Sequence, residues 1–165
     1  MPFLISLFYS FVLVYGFYVF DKIFNINFKT KHYIIITLIA FTGPTLVAPL
    51  LHFFIYYDKI MHFAHPFLFS SIAFFVVSKL KIKKTQTLFL VFFIVIASFA
   101  IFEVMEYLID LFLDYNLQGV YSRTLQGASK GTAIMSPIDD TMTDLILGIF
   151  GAFIYLILGL IRKPF

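Results

Sequence analysis

Long apolar runs separated by short polar connections dominate this chain. A membrane-crossing helix needs about 20 mostly apolar residues, and five runs approach that length, at 3–20, 33–56, 60–78, 87–113 and 141–161. Strands of a spanning barrel alternate apolar and polar positions, whereas these runs are continuous, so helices are predicted. The expected fold is an all-α integral membrane protein, a bundle of about five transmembrane helices forming a single domain over 1–165. The first run lacks the basic start and small-residue cleavage site of a signal peptide and reads as a retained span. The second contains Gly43-Pro44 and Pro49. Proline has no N–H and crowds the preceding turn, so this helix should kink or break, with neighbouring helices satisfying the freed carbonyls.

Composition agrees with this picture: 61 % of residues are hydrophobic and 13 % charged, against about 25 % charged in soluble domains. The absence of cysteine removes disulfides, thiolate nucleophiles and thiolate metal ligands. Heavy use of Phe, Ile, Leu, Tyr and Lys without Trp reflects an AT-rich genome, so the 24 phenylalanines are not read as a binding signal.

Charge position carries more than the net +3. Lys22, Lys29, Lys31, Lys79, Lys81, Lys83, Lys84, Arg162 and Lys163 fall on one side of a five-span arrangement, and Lys59, Arg123 and Lys130 on the other. The positive-inside rule then gives N-terminus out and C-terminus in. The acids take the opposite side. Asp21 alone is cytoplasmic, while Asp58, Glu103, Glu106, Asp110, Asp114, Asp139, Asp140 and Asp144 gather at or near the outer face with His52, His62 and His65.

At 100° per residue, Glu103, Glu106, Asp110 and Asp114 lie at about 0°, 300°, 340° and 20°, a single stripe on the fourth span. Glu103 sits about 10 Å deeper than Asp110, and a carboxylate at that depth persists where it faces a bundle interior and finds a partner. On the third span Asp58, His62 and His65 fall at about 0°, 40° and 340°, again one stripe, with Lys59 off it. Asp140 and Asp144 are one turn apart on the fifth span, where Gly148 and Gly151 permit close helix approach. Imidazoles with carboxylates suit a first-row ion such as Zn, Mn or Fe, and facing helices of a bundle are where such sites are built. The expected ligands are His62, His65, Glu106, Asp140 and Asp144, with Glu103 or Asp110 as general base.

Each feature also has a plain structural meaning. The His62–His65 spacing is common for membrane histidines that hydrogen-bond a neighbouring helix. Asp139 fits a helix N-cap or first turn, and Asp114 a solvated surface charge. The outer loop, 114–139, exceeds the usual connection length and suits a lid or binding loop. Lys59, Arg123 and Lys130 are the expected substrate contacts, arginine meeting a phosphate through two hydrogen bonds. The loop has no nucleotide-binding fingerprint, and no nucleic-acid partner is expected.

The stretches "YDKIMHF", "FEVMEY", "LQG" and "DDTMTDLILGIFGA", spread over 57–152, resemble those of a family of small bacterial and archaeal inner-membrane proteins of unknown function (DUF2238, or YjdF-like). The resemblance implies a helical protein of the prokaryotic cytoplasmic membrane and supports His62, Glu106, Asp140 and Asp144 as a set, without assigning them chemistry. The chain is more distantly similar to VanZ-like proteins, linked to glycopeptide resistance, in its D-K-x-x-H start at Asp58, Lys59 and His62. It departs from them in Glu103, Glu106 and Asp110, and in Asp144 where an amide is expected, so that activity is not carried over.

Three functions remain open from the sequence. One is a membrane-embedded enzyme, metal-dependent or acting by acid–base chemistry, on a lipid or lipid-linked phosphate headgroup at the outer leaflet. The second is a transporter or ion or proton pathway, against which stand the absence of acids in the cytoplasmic half of the spans and the lack of an inverted repeat. The third is a structural or regulatory membrane subunit whose polar cluster holds the bundle together.

Overall fold

The computed structural model describes residues 3–46, 56–113, 117–118, 120–121 and 133–161. They form α1 (Phe3–Phe24), α2 (Thr30–Ala40), a π-helical turn (Phe41–Thr45) and α3 (Tyr57–Val77) with a 3-10 extension (Ser78–Leu80). Then follow α4 (Lys84–Leu113), two short strands β1 (Val120–Tyr121) and β2 (Ala133–Met135), and α5 (Pro137–Ile161). Among the described residues, four segments, Ser6–Phe24, Tyr57–Leu80, Lys84–Phe112 and Pro137–Ile161, are long and apolar enough to cross a membrane. The second expected span is described only as far as residue 46, and Pro49 and His52 lie outside the described residues. The loop expected over 114–139 is drawn together at its ends, where β1 pairs antiparallel with β2.

Several helices start earlier than hydropathy alone predicts, because their first turns are polar. Helix α5 begins at Pro137 rather than 141. Ser136 Oγ accepts the Asp139 N–H at 3.2 Å and donates to Asp139 Oδ2 at 2.6 Å. Proline at the first helical position costs nothing, since that N–H has no partner in any helix. Helix α3 begins at Tyr57 rather than 60, which puts Asp58 and Lys59 on its first turn.

The lysine-rich end is organised by Asp21. Its Oδ1 accepts the Phe28 N–H at 3.2 Å and its Oδ2 the Tyr33 hydroxyl at 2.5 Å. The chain reverses between α1 and α2 through Asn25 and Asn27, both at positive φ, a conformation that asparagine tolerates better than most residues. Lys79 ties α3 to this connection by donating to the Ile26 carbonyl.

Helix α2 breaks at the expected place. Pro44 has no N–H for the Ala40 carbonyl, and the backbone widens into a π turn in which the Leu46 N–H reaches the Phe41 carbonyl at 3.1 Å. Ser10 of α1 donates to the Ala40 carbonyl at 2.6 Å, supplying from a neighbouring helix part of what proline removes. Ser10→Ala should lower stability by about 1 kcal/mol, read as a lower unfolding midpoint in detergent.

Helices α3, α4 and α5 pack on one another, α2 lies against α3, and α1 lies against α2 and the π turn. Glycine sets the α3–α5 spacing. A Cβ on Gly151 would sit 2.2 Å from the Phe63 carbonyl oxygen, and one on Gly148 would sit 2.4 Å from the Phe99 ring. Toward the lysine-rich end the three helices enclose an apolar layer of Ala73, Val77, Val91, Val95 and Ala152. At the opposite, acidic end this layer gives way to the polar cluster.

Candidate functional site

The cluster starts on the first turns of α3. Asp58 and His62 are one turn apart and share a face, which brings His62 Nε2 to 3.2 Å from Asp58 Oδ1. Lys59 follows Asp58 by one residue and was expected off this stripe. Its four-carbon stem instead turns into the bundle. Nζ lies 2.8 and 2.7 Å from the two oxygens of Asp144, 3.3 Å from Asp58 Oδ2, and also bonds Asp140. A long flexible side chain is not confined to the direction of its Cβ, and three carboxylates outweigh the angular offset. All three ammonium protons have acceptors, so in this arrangement Lys59 has no donor left for a substrate phosphate.

Helix α5 contributes Asp140 and, one turn deeper, Asp144; both are buried. Helix α4 contributes Glu103, 3 % exposed, whose Oε1 lies 3.4 Å from His62 Nδ1. The two atoms face each other as an ion pair, and neither makes a well-formed hydrogen bond to a described residue. His62 Nδ1 is also 3.8 Å from Asp144 Oδ1. The Phe99 ring stands edge-on to the imidazole at 5.4 Å and closes the cluster on its apolar side. That ring is the one held at Gly148, so Gly148→Ala should displace Phe99 and disturb His62. The expected readout is a shifted His62 imidazole NMR signal with a smaller loss of stability than Gly151→Ala gives.

Four carboxylates, of Asp58, Glu103, Asp140 and Asp144, thus surround one ammonium and one imidazole. Even with His62 protonated, the acids outnumber the bases. Buried charge without compensation is costly, so the cluster has room for further positive charge. One donor atom from each of Asp58, His62 and Asp144 lies within 4.8 Å of the others, a grouping that can hold a metal ion.

Other expected site residues make different contacts or fall outside the described residues. His65 reaches toward the α2 break, with Nε2 2.9 Å from Thr42 Oγ1. Since that hydroxyl donates to the Leu38 carbonyl at 2.6 Å, the imidazole is the donor. Tyr57 donates to the Thr42 carbonyl at 2.8 Å, completing this second polar contact between α2 and α3. Glu106 is half-buried, and no hydrogen bond or ion pair joins it to a described residue. Asp110 accepts the Leu117 and Gln118 N–H groups at 2.7 and 2.9 Å, which fixes the chain leaving α4. Gln118 then donates to Thr141 Oγ1 at 2.8 Å, linking that chain to α5. Asp139 serves the α5 start. Asp114, Arg123 and Lys130 lie outside the described residues.

Sequence reasoning placed Asp58 on the right stripe but left it out of the ligand set, although its four-residue spacing from His62 points to a shared site. Nothing in the spacing signals the inward turn of Lys59 or the role of Phe99.

A family model described as a predicted membrane protein, DUF2238, matches residues 3–164. No match was found among curated proteins or among solved structures.

Proposed function

Given that the chain belongs to the DUF2238 family of predicted membrane proteins, we propose that its polar cluster is the divalent-cation site of a membrane-embedded enzyme. The site lies at the outer leaflet of a prokaryotic cytoplasmic membrane, and the substrate is a lipid or lipid-linked phosphate headgroup. The observation that carries this reading is the Asp58–His62–Asp144 grouping, beside which the buried Glu103 Oε1 faces His62 Nδ1 at 3.4 Å. A cation among these groups would balance the excess of buried acid.

The donor set of one imidazole and several carboxylates fits Zn, Mn or Fe. Such an ion, when bound, polarises a phosphoryl oxygen or acidifies a water. The chain's own groups divide the remaining work. Asp58, whose Oδ1 faces His62 Nε2 at 3.2 Å, would share the ion with that imidazole. The proposed general base is Glu103, which would take a proton from an attacking hydroxyl or water; its proximity to His62, with the Phe99 ring edge-on to that imidazole, supports the assignment. Arg123 and Lys130, which fall between β1 and β2 in the sequence and outside the described residues, are the proposed contacts for the headgroup phosphate. The excess of lysine at the other end of the bundle supports the outward orientation.

A transport path is disfavoured by the apolar layer of Ala73, Val77, Val91, Val95 and Ala152, which lies between the cluster and the lysine-rich end. A blind site suits chemistry on a headgroup better than passage. Elemental analysis of the purified protein tests the reading. The parent should carry about one equivalent of a first-row divalent ion per chain, and folded His62→Ala and Asp144→Asn variants should lose most of it. Equal metal content in parent and variants would refute the site.

A further inference from the structure

We infer that Lys59 is a tethered cation: its ammonium holds the site's carboxylates until a divalent ion displaces it, and it then withdraws along α5 from Asp144 to Asp140. The inference rests on the cation-site reading above and names what controls occupancy of that site.

Two of the three grouped ligands are shared with Lys59. Both oxygens of Asp144 lie within 2.8 Å of Nζ, and Asp58 Oδ2 lies 3.3 Å from it. An ion held by Asp144 and Asp58 would be pressed against the ammonium, and two cations at such range repel strongly in a site of low dielectric constant. Ion entry and loss of the Lys59–Asp144 pair are therefore one event. The retreat is built into the helix. Asp140 already bonds Lys59, is absent from the metal grouping, and lies one turn closer to the start of α5 than Asp144. Lys59 itself sits on the first turn of α3 at the same end of the bundle, so a modest swing of its stem carries the ammonium outward without moving the backbone. Glu103 meets His62 from the Nδ1 side, opposite the nitrogen that faces Asp58.

Mn2+ titration of the detergent-solubilised protein, followed by the EPR signal of free Mn2+, tests this. Lys59→Met should bind Mn2+ about tenfold or more tighter than the parent. The double variant Lys59→Met/Asp140→Asn, which keeps the net charge and leaves Asp58, His62 and Asp144 in place, should do the same. Lys59→Arg should bind no tighter than the parent. In the parent itself, saturating Mn2+ should speed reductive methylation of Lys59, read by mass spectrometry. If the parent binds Mn2+ while the folded Met variants bind it no tighter, or if Lys59 reactivity is unchanged on binding, the tethered cation is overturned and the cation site stands. If none of these proteins binds Mn2+ or Zn2+, the cation site itself fails.

Discussion

Lys59→Met is expected to lower the unfolding free energy of the metal-free protein by about 3–5 kcal/mol, the cost typical of removing one partner from a buried ion cluster. The Lys59 side chain is 12 % exposed, and those of Asp140 and Asp144 are 7 % and 3 % exposed. Methionine fills a similar volume, so little packing is lost. What remains is a set of buried acids with His62 as the one basic group among them. Unfolding in mixed micelles gives the difference directly. Asp144→Asn should cost less, since Lys59 keeps Asp58 and Asp140. A double-mutant cycle over Lys59 and Asp144 should then show strong coupling. Added Mn2+ should restore part of the Lys59→Met loss, because an ion that binds only the folded state stabilises it by mass action.

Gly151→Ala should cost about 2–3 kcal/mol, toward the upper end for overpacked cores. The added methyl would meet the Phe63 carbonyl oxygen at 2.2 Å. That oxygen is backbone and cannot rotate away as a side chain can. Helices α3 and α5 must separate, and this is the pair that carries Lys59 opposite Asp140 and Asp144. The substitution should therefore loosen the cluster as well as the bundle, seen as a lower unfolding midpoint together with weaker Mn2+ binding. Gly148→Ala meets only an aromatic ring and should cost less.

Helix positions and the acidic end could be read from the chain because long apolar runs and charge asymmetry are one-dimensional signals. The break at Gly43-Pro44 follows from the chemistry of proline alone, and Ser10 answers it as a neighbouring helix must. Angular stripes were informative for Asp58, His62 and Glu103, which do converge. They misled for His65, which shares the stripe in projection yet bonds Thr42. A stripe some 60° wide touches more than one neighbour in a bundle, and projection gives no partner. Asp110 shares the angle of Glu103, but lies where the helix ends and free backbone N–H groups need an acceptor. Lys59 was misplaced for a different reason: its stem is long enough that electrostatics, rather than Cβ direction, decides where the ammonium rests.

Family membership, with four helices among the described residues long and apolar enough to cross a membrane, establishes a helical membrane protein. The proposal added to that frame is that Asp58, His62 and Asp144, from α3 and α5, take one ion between them, with Glu103 of α4 beside it. Pulsed EPR of the Mn2+-loaded protein addresses it. The spectrum should show coupling to a single imidazole nitrogen, lost in His62→Gln and retained in His65→Gln. Coupling that survives His62→Gln, or that disappears in His65→Gln, would contradict the account.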